Sequence, residues 1–361
     1  MFDKGWLRKR LNVDVKQYLQ TKAKAHPKKV VFPETGEERM LRAARQALDL
    51  GIAHPILVGK PETVKAFAAS AGISLEGMAI ADPSDEAVVD DYVARYLQIN
   101  STLPGKALKR MMRDPLNFAL IMEALGEADC TVAGFTRTTS EVLLAAQTII
   151  GLQPGIETIS SMGIWSIPGF QGADGEVLIH ADCAVCPDPS ASELADIAIS
   201  TADTTRCLLD LEPRVALLSF STKGSAQHEK VDHVLEALEI VRKRRPDLLI
   251  DGELQVDSAI IPAVAVRKMK DVGPVAGRAN ILIFPDLNSG NIAVKMVQIF
   301  GKASAYGPLL QGFAKPITDL SRAAPVEDIV GAITNVVVLA QSSGAGQQTR
   351  TTAGLETGGT V

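Results

Sequence analysis

Apolar residues fall into short β-rich runs that alternate with segments of helical period almost from end to end of the chain. Runs bounded by turn residues predict strands over 29–32, 55–58, 131–133, 156–160, 176–179, 215–219, 248–250 and 281–284. Between them, apolar positions recurring every three or four residues predict helices over 37–50, 62–71, 191–209, 229–244 and 292–300. In the first of these helices Arg39, Arg42 and Arg45 fall on the expected wet side. Strands alternating with helices through short links make a mostly parallel sheet covered by helices, so the fold class is α/β. No sharp linker is visible, and the links around 151–155 and 306–316 are the candidate domain boundaries. Residues 342–361, rich in Gly, Thr, Ser and Gln, have almost nothing apolar to bury and are expected to be a flexible tail.

Composition narrows the setting. With 361 residues, 46% of them hydrophobic, the chain can bury one large core or two ordinary ones. No apolar run reaches the roughly 18 residues of a membrane span, and the first 24 residues mix charges throughout, which points to the cytoplasm. A net charge of −5 gives no general attraction for nucleic acid, so local groups must hold any anionic ligand. Four cysteines in so long a chain make no disulfide framework. Cys183 and Cys186 end an apolar segment, are followed by Pro187 and have only Cys130 and Cys207 elsewhere. They read as small buried residues, and no metal site is expected.

Several chemistries lack their motifs. No G-x-G-x-x-G follows a strand, no P-loop occurs, the five histidines form no H-E-x-x-H, and there is no G-x-S-x-G elbow. Three polar, glycine-containing or hydroxyl-rich segments remain, at the ends of predicted strands where α/β folds place ligands. Residues 219–225 (SFSTKGS) offer Ser221, Thr222, Lys223 and Gly224 to an anion, or else form an ordinary loop cap. Residues 284–291 (FPDLNSGN) bring Asn288, Ser289 and Asn291 to a helix start, where free N–H groups and the dipole favour phosphate. The alternative there is a helix cap by Asn288 or Ser289. Residues 315–322 (KPITDLSR), followed by Asp328, gather Lys315, Ser321, Arg322 and a carboxylate. They also suit a helix over 325–340 capped by Ser321 or Asp319.

With 31–36 (VFPETG), 113–118 (RDPLNF), 126–129 (GEAD), 212–225 (EPRVALLSFSTKGS), 251–257 (DGELQVD) and 305–308 (AYGP), these segments resemble the phosphate acetyltransferase family, over roughly residues 15–341. The resemblance implies two αβα domains with mostly parallel sheets flanking a cleft, assembled as a homodimer. It implies an N-terminal extension over 1–27, a discontinuous domain of 28–152 and 308–341, a second domain of 153–307, and the tail 342–361. It also implies reversible transfer of acetyl between acetyl-CoA and phosphate, giving acetyl phosphate and CoA, without a cofactor, a metal or a covalent acyl-enzyme. Coenzyme A is then a substrate, and neither nucleic acid nor membrane is a partner.

Carried over by that resemblance, Asp328 is the base for the CoA thiol, Ser321 the donor to the oxyanion and Arg322 the phosphate anchor. The three loops, with Tyr306 and Lys315, become substrate-binding. The chemistry agrees: a thiol of pKa about 8.5 gains from a positioned carboxylate. Charge developing on a carbonyl oxygen gains from a fixed hydroxyl, and a guanidinium fork matches phosphate. The helix after 134–139 (GFTRTT) reads SEVLLAAQ, without the arginine common in relatives. Arg137 is the candidate substitute, or a solvated loop arginine. Competing readings are a transferase for a longer or branched acyl group, an acetyl-CoA-sensing domain like those fused to malic enzymes, and a dehydrogenase or decarboxylase relative. The last needs a metal carboxylate cluster that the sequence does not display.

Overall fold

A computed structural model describes residues 14–343. Positions 1–13 of the expected N-terminal extension and the expected tail beyond Ser343 lie outside the described residues. The chain divides into two compact units, one of Leu152–Gly312 with the described residues through Tyr18, the other of Leu19–Gly151 with the chain from Phe313 on.

The second of these units is built on five parallel strands: β1 (Lys28–Phe32), β2 (Ala53–Val58), β3 (Ala79–Ala81), β4 (Cys130–Ala133) and β11 (Ile317–Asp319). Their order is β11-β4-β1-β2-β3. β4 is wholly buried and β1 buries Val30, Val31 and Phe32, as expected of strands covered on both faces. Helix Glu38–Asp49 buries Met40, Leu41, Ala43, Ala44 and Ala47 on one side, the three-and-four spacing read from the sequence. Helix Thr139–Ile149 opens with a reciprocal capping box between Thr138 and Glu141. Because β11, β4 and β1 are adjacent and parallel, the loops leaving them emerge side by side at one sheet edge.

The other unit holds a six-stranded mixed sheet ordered β10-β5-β6-β9-β7-β8. Its strands are β5 (Ser160–Ser166), β6 (Val177–Ala181), β7 (Arg214–Leu218), β8 (Leu249–Leu254), β9 (Ile281–Ile283) and β10 (Ser304–Gln311). β10 and β6 flank β5 antiparallel, and the other pairings are parallel. Helices Ala191–Leu209 and Glu229–Arg244 have the bounds read from the sequence.

Three expectations are corrected. The strand predicted over 156–160 begins only at Ser160, and its stretch SSMGIWS, buried up to Trp165, lies between two antiparallel neighbours. The stretch around 306–316 holds the break between the two units, after Gly312, but it is not all link: up to Gln311 it belongs to β10, whose pairing shifts register between Tyr306 and Leu309. Gly307 and Pro308 break the apolar pattern, but a register irregularity absorbs them without ending the strand. Helix Leu287–Phe300 starts five residues ahead of the predicted 292, because Asp286 caps it by accepting the Ser289 N–H at 2.8 Å.

Candidate functional site

The turn that leaves β11 carries the densest chemistry. Asp319 pairs in register with Ala133 of β4, and the Leu320 N–H donates to the Ala133 carbonyl at 2.8 Å. Ser321 and Arg322 follow, both exposed, in a turn closed by the Ala324 N–H donating to the Ser321 carbonyl at 2.9 Å. Asp328 is exposed in the first turn of helix Val326–Ser343. Ser321, Arg322 and Asp328 thus stand exposed on the one segment that leads from β11 into that helix. Neither expected cap serves that helix: the Ser321 hydroxyl takes the Ala323 N–H at 3.3 Å, and Asp319 takes the Thr139 hydroxyl.

Neighbouring loops hold this turn. Arg39 is only partly exposed: its guanidinium donates to the carbonyls of Ala324 at 3.1 Å and Arg322 at 3.2 Å, and lies 4.3 Å from the Phe135 ring centroid. At the start of its helix, the side chain reaches the turn. Glu34, buried beyond β1, accepts the Phe135 N–H at 2.8 Å and both the N–H and hydroxyl of Thr136 at 2.7 Å. Gly134, at φ +101°, leaves room for Asp319; a Cβ there would sit 2.1 Å from Asp319 Oδ1. Burial, with the nearby Glu34 charge, raises the Asp319 carboxyl above its ordinary range. Sequence reasoning missed Arg39 and Glu34 as supports and weighed Asp319 only as a helix cap. The local signals were that Glu34 lies two residues past the end of β1 and that Asp319 ends β11.

Arg137 stands in the 134–139 loop, but its guanidinium already pairs with Asp114 at 2.5 Å and approaches Glu141 at 3.9 Å. A phosphate would have to compete with Asp114 for it. Lys315 is not brought to this edge. It precedes β11, at the opposite end of a parallel strand, and its ammonium donates to the Glu123 carbonyl.

The remaining candidates belong to the six-stranded unit. In the 219–225 loop Ser221 and Thr222 are buried, and the Ser221 hydroxyl donates to Glu253 at 2.8 Å while the Gly224 N–H donates to the same oxygen at 2.7 Å. Lys223 pairs with Asp251 and donates to the Gly252 carbonyl at 2.7 Å. The loop's donors thus converge on carboxylates of β8. Ser289 lines a cavity of about 620 Å³ at the C-terminal ends of β7 and β9, with Leu218, Phe220, Lys230, His233 and Phe284. Asn291 and Tyr306 line a smaller cavity of about 230 Å³ with Trp165 and Cys183. Asn291 donates to the Cys183 carbonyl at 3.1 Å, and Asn288 is exposed in the first turn of helix Leu287–Phe300. Burial raises the Cys183 thiol and pushes Cys186 up to about 11, which leaves both protonated at neutral pH. Among the described residues no group of three or more His, Cys, Asp or Glu side chains is placed to hold a metal.

The family model described as "Phosphate acetyl/butaryl transferase" matches residues 14–337. The chain is 42% identical over 327 residues to the phosphate acetyltransferase of Thermoanaerobacterium thermosaccharolyticum, covering 90% of this chain and 99% of that protein. It is 45% identical over 334 residues to the phosphate acetyltransferase of Treponema pallidum, covering 90% and 98%. A crystal structure of a phosphotransacetylase from Streptococcus pyogenes superposes with a TM-score of 0.84 at 36% identity, covering 91% of this chain and 98% of that one.

Proposed function

This chain belongs to the phosphate acetyl/butaryl transferase family, and we propose that the β11 turn, with Ser321, Arg322 and Asp328, performs its reaction. The enzyme transfers an acetyl group reversibly between acetyl-CoA and inorganic phosphate. The observation that carries the assignment is local: a hydroxyl, a guanidinium and a carboxylate stand exposed on one segment at a parallel sheet edge.

In the direction from acetyl phosphate, Asp328 takes the proton from the CoA thiol, and the thiolate sulfur bonds to the acetyl carbonyl carbon. The carbonyl electrons move onto oxygen, where the Ser321 hydroxyl donates to the oxyanion. Collapse breaks the carbon–oxygen bond to phosphate, which leaves held by the Arg322 fork. The reverse reaction retraces these steps. Arg137, in the loop after β4, supplies a substrate contact in this reading. Lys315 serves the sheet from its far edge.

The proposed assembly is a homodimer. Ile292, Met296, Ile299 and Phe300 support it, since they line one face of helix Leu287–Phe300 and are 51–76% exposed. Use of CoA, an intracellular cosubstrate, supports a cytoplasmic setting.

The test follows thioester formation from acetyl phosphate and CoA in Ser321→Ala, Arg322→Lys and Asp328→Asn variants, with butyryl phosphate run in parallel. Wild-type turnover in all three variants would sink the site. Asp328→Asn is expected to shift the rise of rate with pH, since CoA must then arrive ionised.

A further inference from the structure

The turn bearing Ser321 and Arg322 is secured at its downstream end by Arg39, which bonds the Arg322 and Ala324 carbonyls. Its upstream end rests on Asp319. There, Oδ2 accepts the Thr139 hydroxyl, while Oδ1 is buried without a hydrogen-bond partner and presses against Gly134. A buried, unpartnered acceptor costs stability, and natural folds retain such groups chiefly where geometry matters. Thr139 opens helix Thr139–Ile149, directly after the loop that carries Arg137. The Asp319 carboxyl therefore joins the strand end that leads to Ser321 with the neighbouring loop and helix start.

We propose that Asp319 is a positioning residue for acyl transfer: wedged against Gly134 and tied to Thr139, it fixes the path of Leu320–Arg322. It touches no reacting atom. It holds the Ser321 hydroxyl and the Arg322 guanidinium in register with the 134–139 loop, and its unpartnered oxygen reflects a placement chosen for that geometry. A misplacement of about 1 Å in such a group can cost about a hundredfold in rate. The proposal rests on Ser321 and Arg322 being the reacting turn.

Steady-state kinetics and thermal melts of Asp319→Ala, Asp319→Asn, Thr139→Val and the Asp319→Ala/Thr139→Val double variant test it. Asp319→Ala is expected to lower kcat about a hundredfold, with both KM values within about threefold of wild type. Asp319→Asn keeps an acceptor for Thr139 and fills the same space, so it should recover at least about tenfold of that loss. Thr139→Val should lower kcat about tenfold alone and add nothing in the double variant. Wild-type kcat in Asp319→Ala overturns the proposal, as does an Asp319→Asn as slow as Asp319→Ala. If Asp319→Ala fails to fold, the Thr139→Val result decides: wild-type kcat there overturns it. Ser321→Ala and Arg322→Ala in the same assay separate the two readings. Unchanged turnover in both removes the reacting turn itself, whereas their loss beside an active Asp319→Ala removes only the positioning role.

Discussion

The guanidinium of Arg39 donates to the carbonyl oxygen of Arg322 at 3.2 Å, joining two residues 283 positions apart. One nitrogen of the same group holds Ala324, and its flat face lies over Phe135. A single side chain thus spans the loops after β4 and β11. Replacing it with lysine keeps the charge but loses the fork and the stacking. Arg39→Lys is expected to lower kcat about tenfold while the melting temperature falls by only a few degrees. Kinetics equal to wild type would show that the turn holds itself.

Ser321→Ala should lower kcat by roughly ten- to a thousandfold and leave KM values within a few-fold, because a donor to an oxyanion acts on the transition state. Initial rates across both substrate concentrations check this. A variant that loses only KM would move Ser321 from the chemistry to ground-state binding.

For Arg322→Lys, the expected loss is in affinity for phosphate and acetyl phosphate, with KM for CoA nearly unchanged. Product-inhibition patterns with phosphate measure it directly. An effect confined to CoA would mean that the guanidinium faces the other substrate.

Arg137 already shares its charge with Asp114, and both side chains are about one third exposed. If it also contacts substrate, Arg137→Ala should raise KM for CoA or phosphate about tenfold, and Leu144→Arg, on an exposed face of the next helix, should restore part of it. Calorimetric titration of Arg137→Ala with CoA gives the answer. Wild-type affinity would leave Arg137 as the partner of Asp114 alone.

Glu123 lies wholly buried in helix Pro115–Ala124, with one oxygen accepting the Thr131 hydroxyl at 2.5 Å and the other unpartnered. Burial is the main cause that pushes its carboxyl from 4.5 up to about 8. The folded chain therefore keeps a proton that the unfolded chain releases, so this group's contribution to stability is complete below about 4.5 and is lost as pH rises to about 8. Glu123→Gln cannot titrate. Its stability relative to wild type should climb between those two values and then stay level. Denaturant melts at several pH values test this, and parallel curves would show that Glu123 keeps its ordinary ionisation.

Local patterns carried much of this fold. β1 ends in the apolar run Val30–Phe32, β4 is apolar but for Thr131, and helices Ala191–Leu209 and Glu229–Arg244 were bounded correctly because their signals are close in sequence. Ser190 and Glu193 form a capping box at one helix start, and Asp210 ends that helix in the left-handed conformation. The three polar loops were equally visible, because strand ends in α/β folds are marked by glycines and hydroxyls. Family resemblance then singled out Ser321, Arg322 and Asp328 in the last of them.

Tertiary structure decided the rest, for one physical reason: long-range pairing leaves no trace in local periodicity. β10 carries Gly307 and Pro308 and reads as a link, yet it pairs with β5 because a register shift accommodates both residues. Arg39 follows the helical period of a wet face, yet reaches two carbonyls contributed by the far end of the chain. Lys315 and Ser321 are six positions apart, and only a parallel strand between them sends one to each edge of the sheet. The amino-acid sequence by itself marked β1, β2, β4, β6 to β9, several helices and the polar loops at their ends, but not β3, β10 or β11. The strand order β11-β4-β1 alone brought Glu34, Gly134 and Asp319 together, since adjacency in a sheet is set by packing between segments distant along the chain.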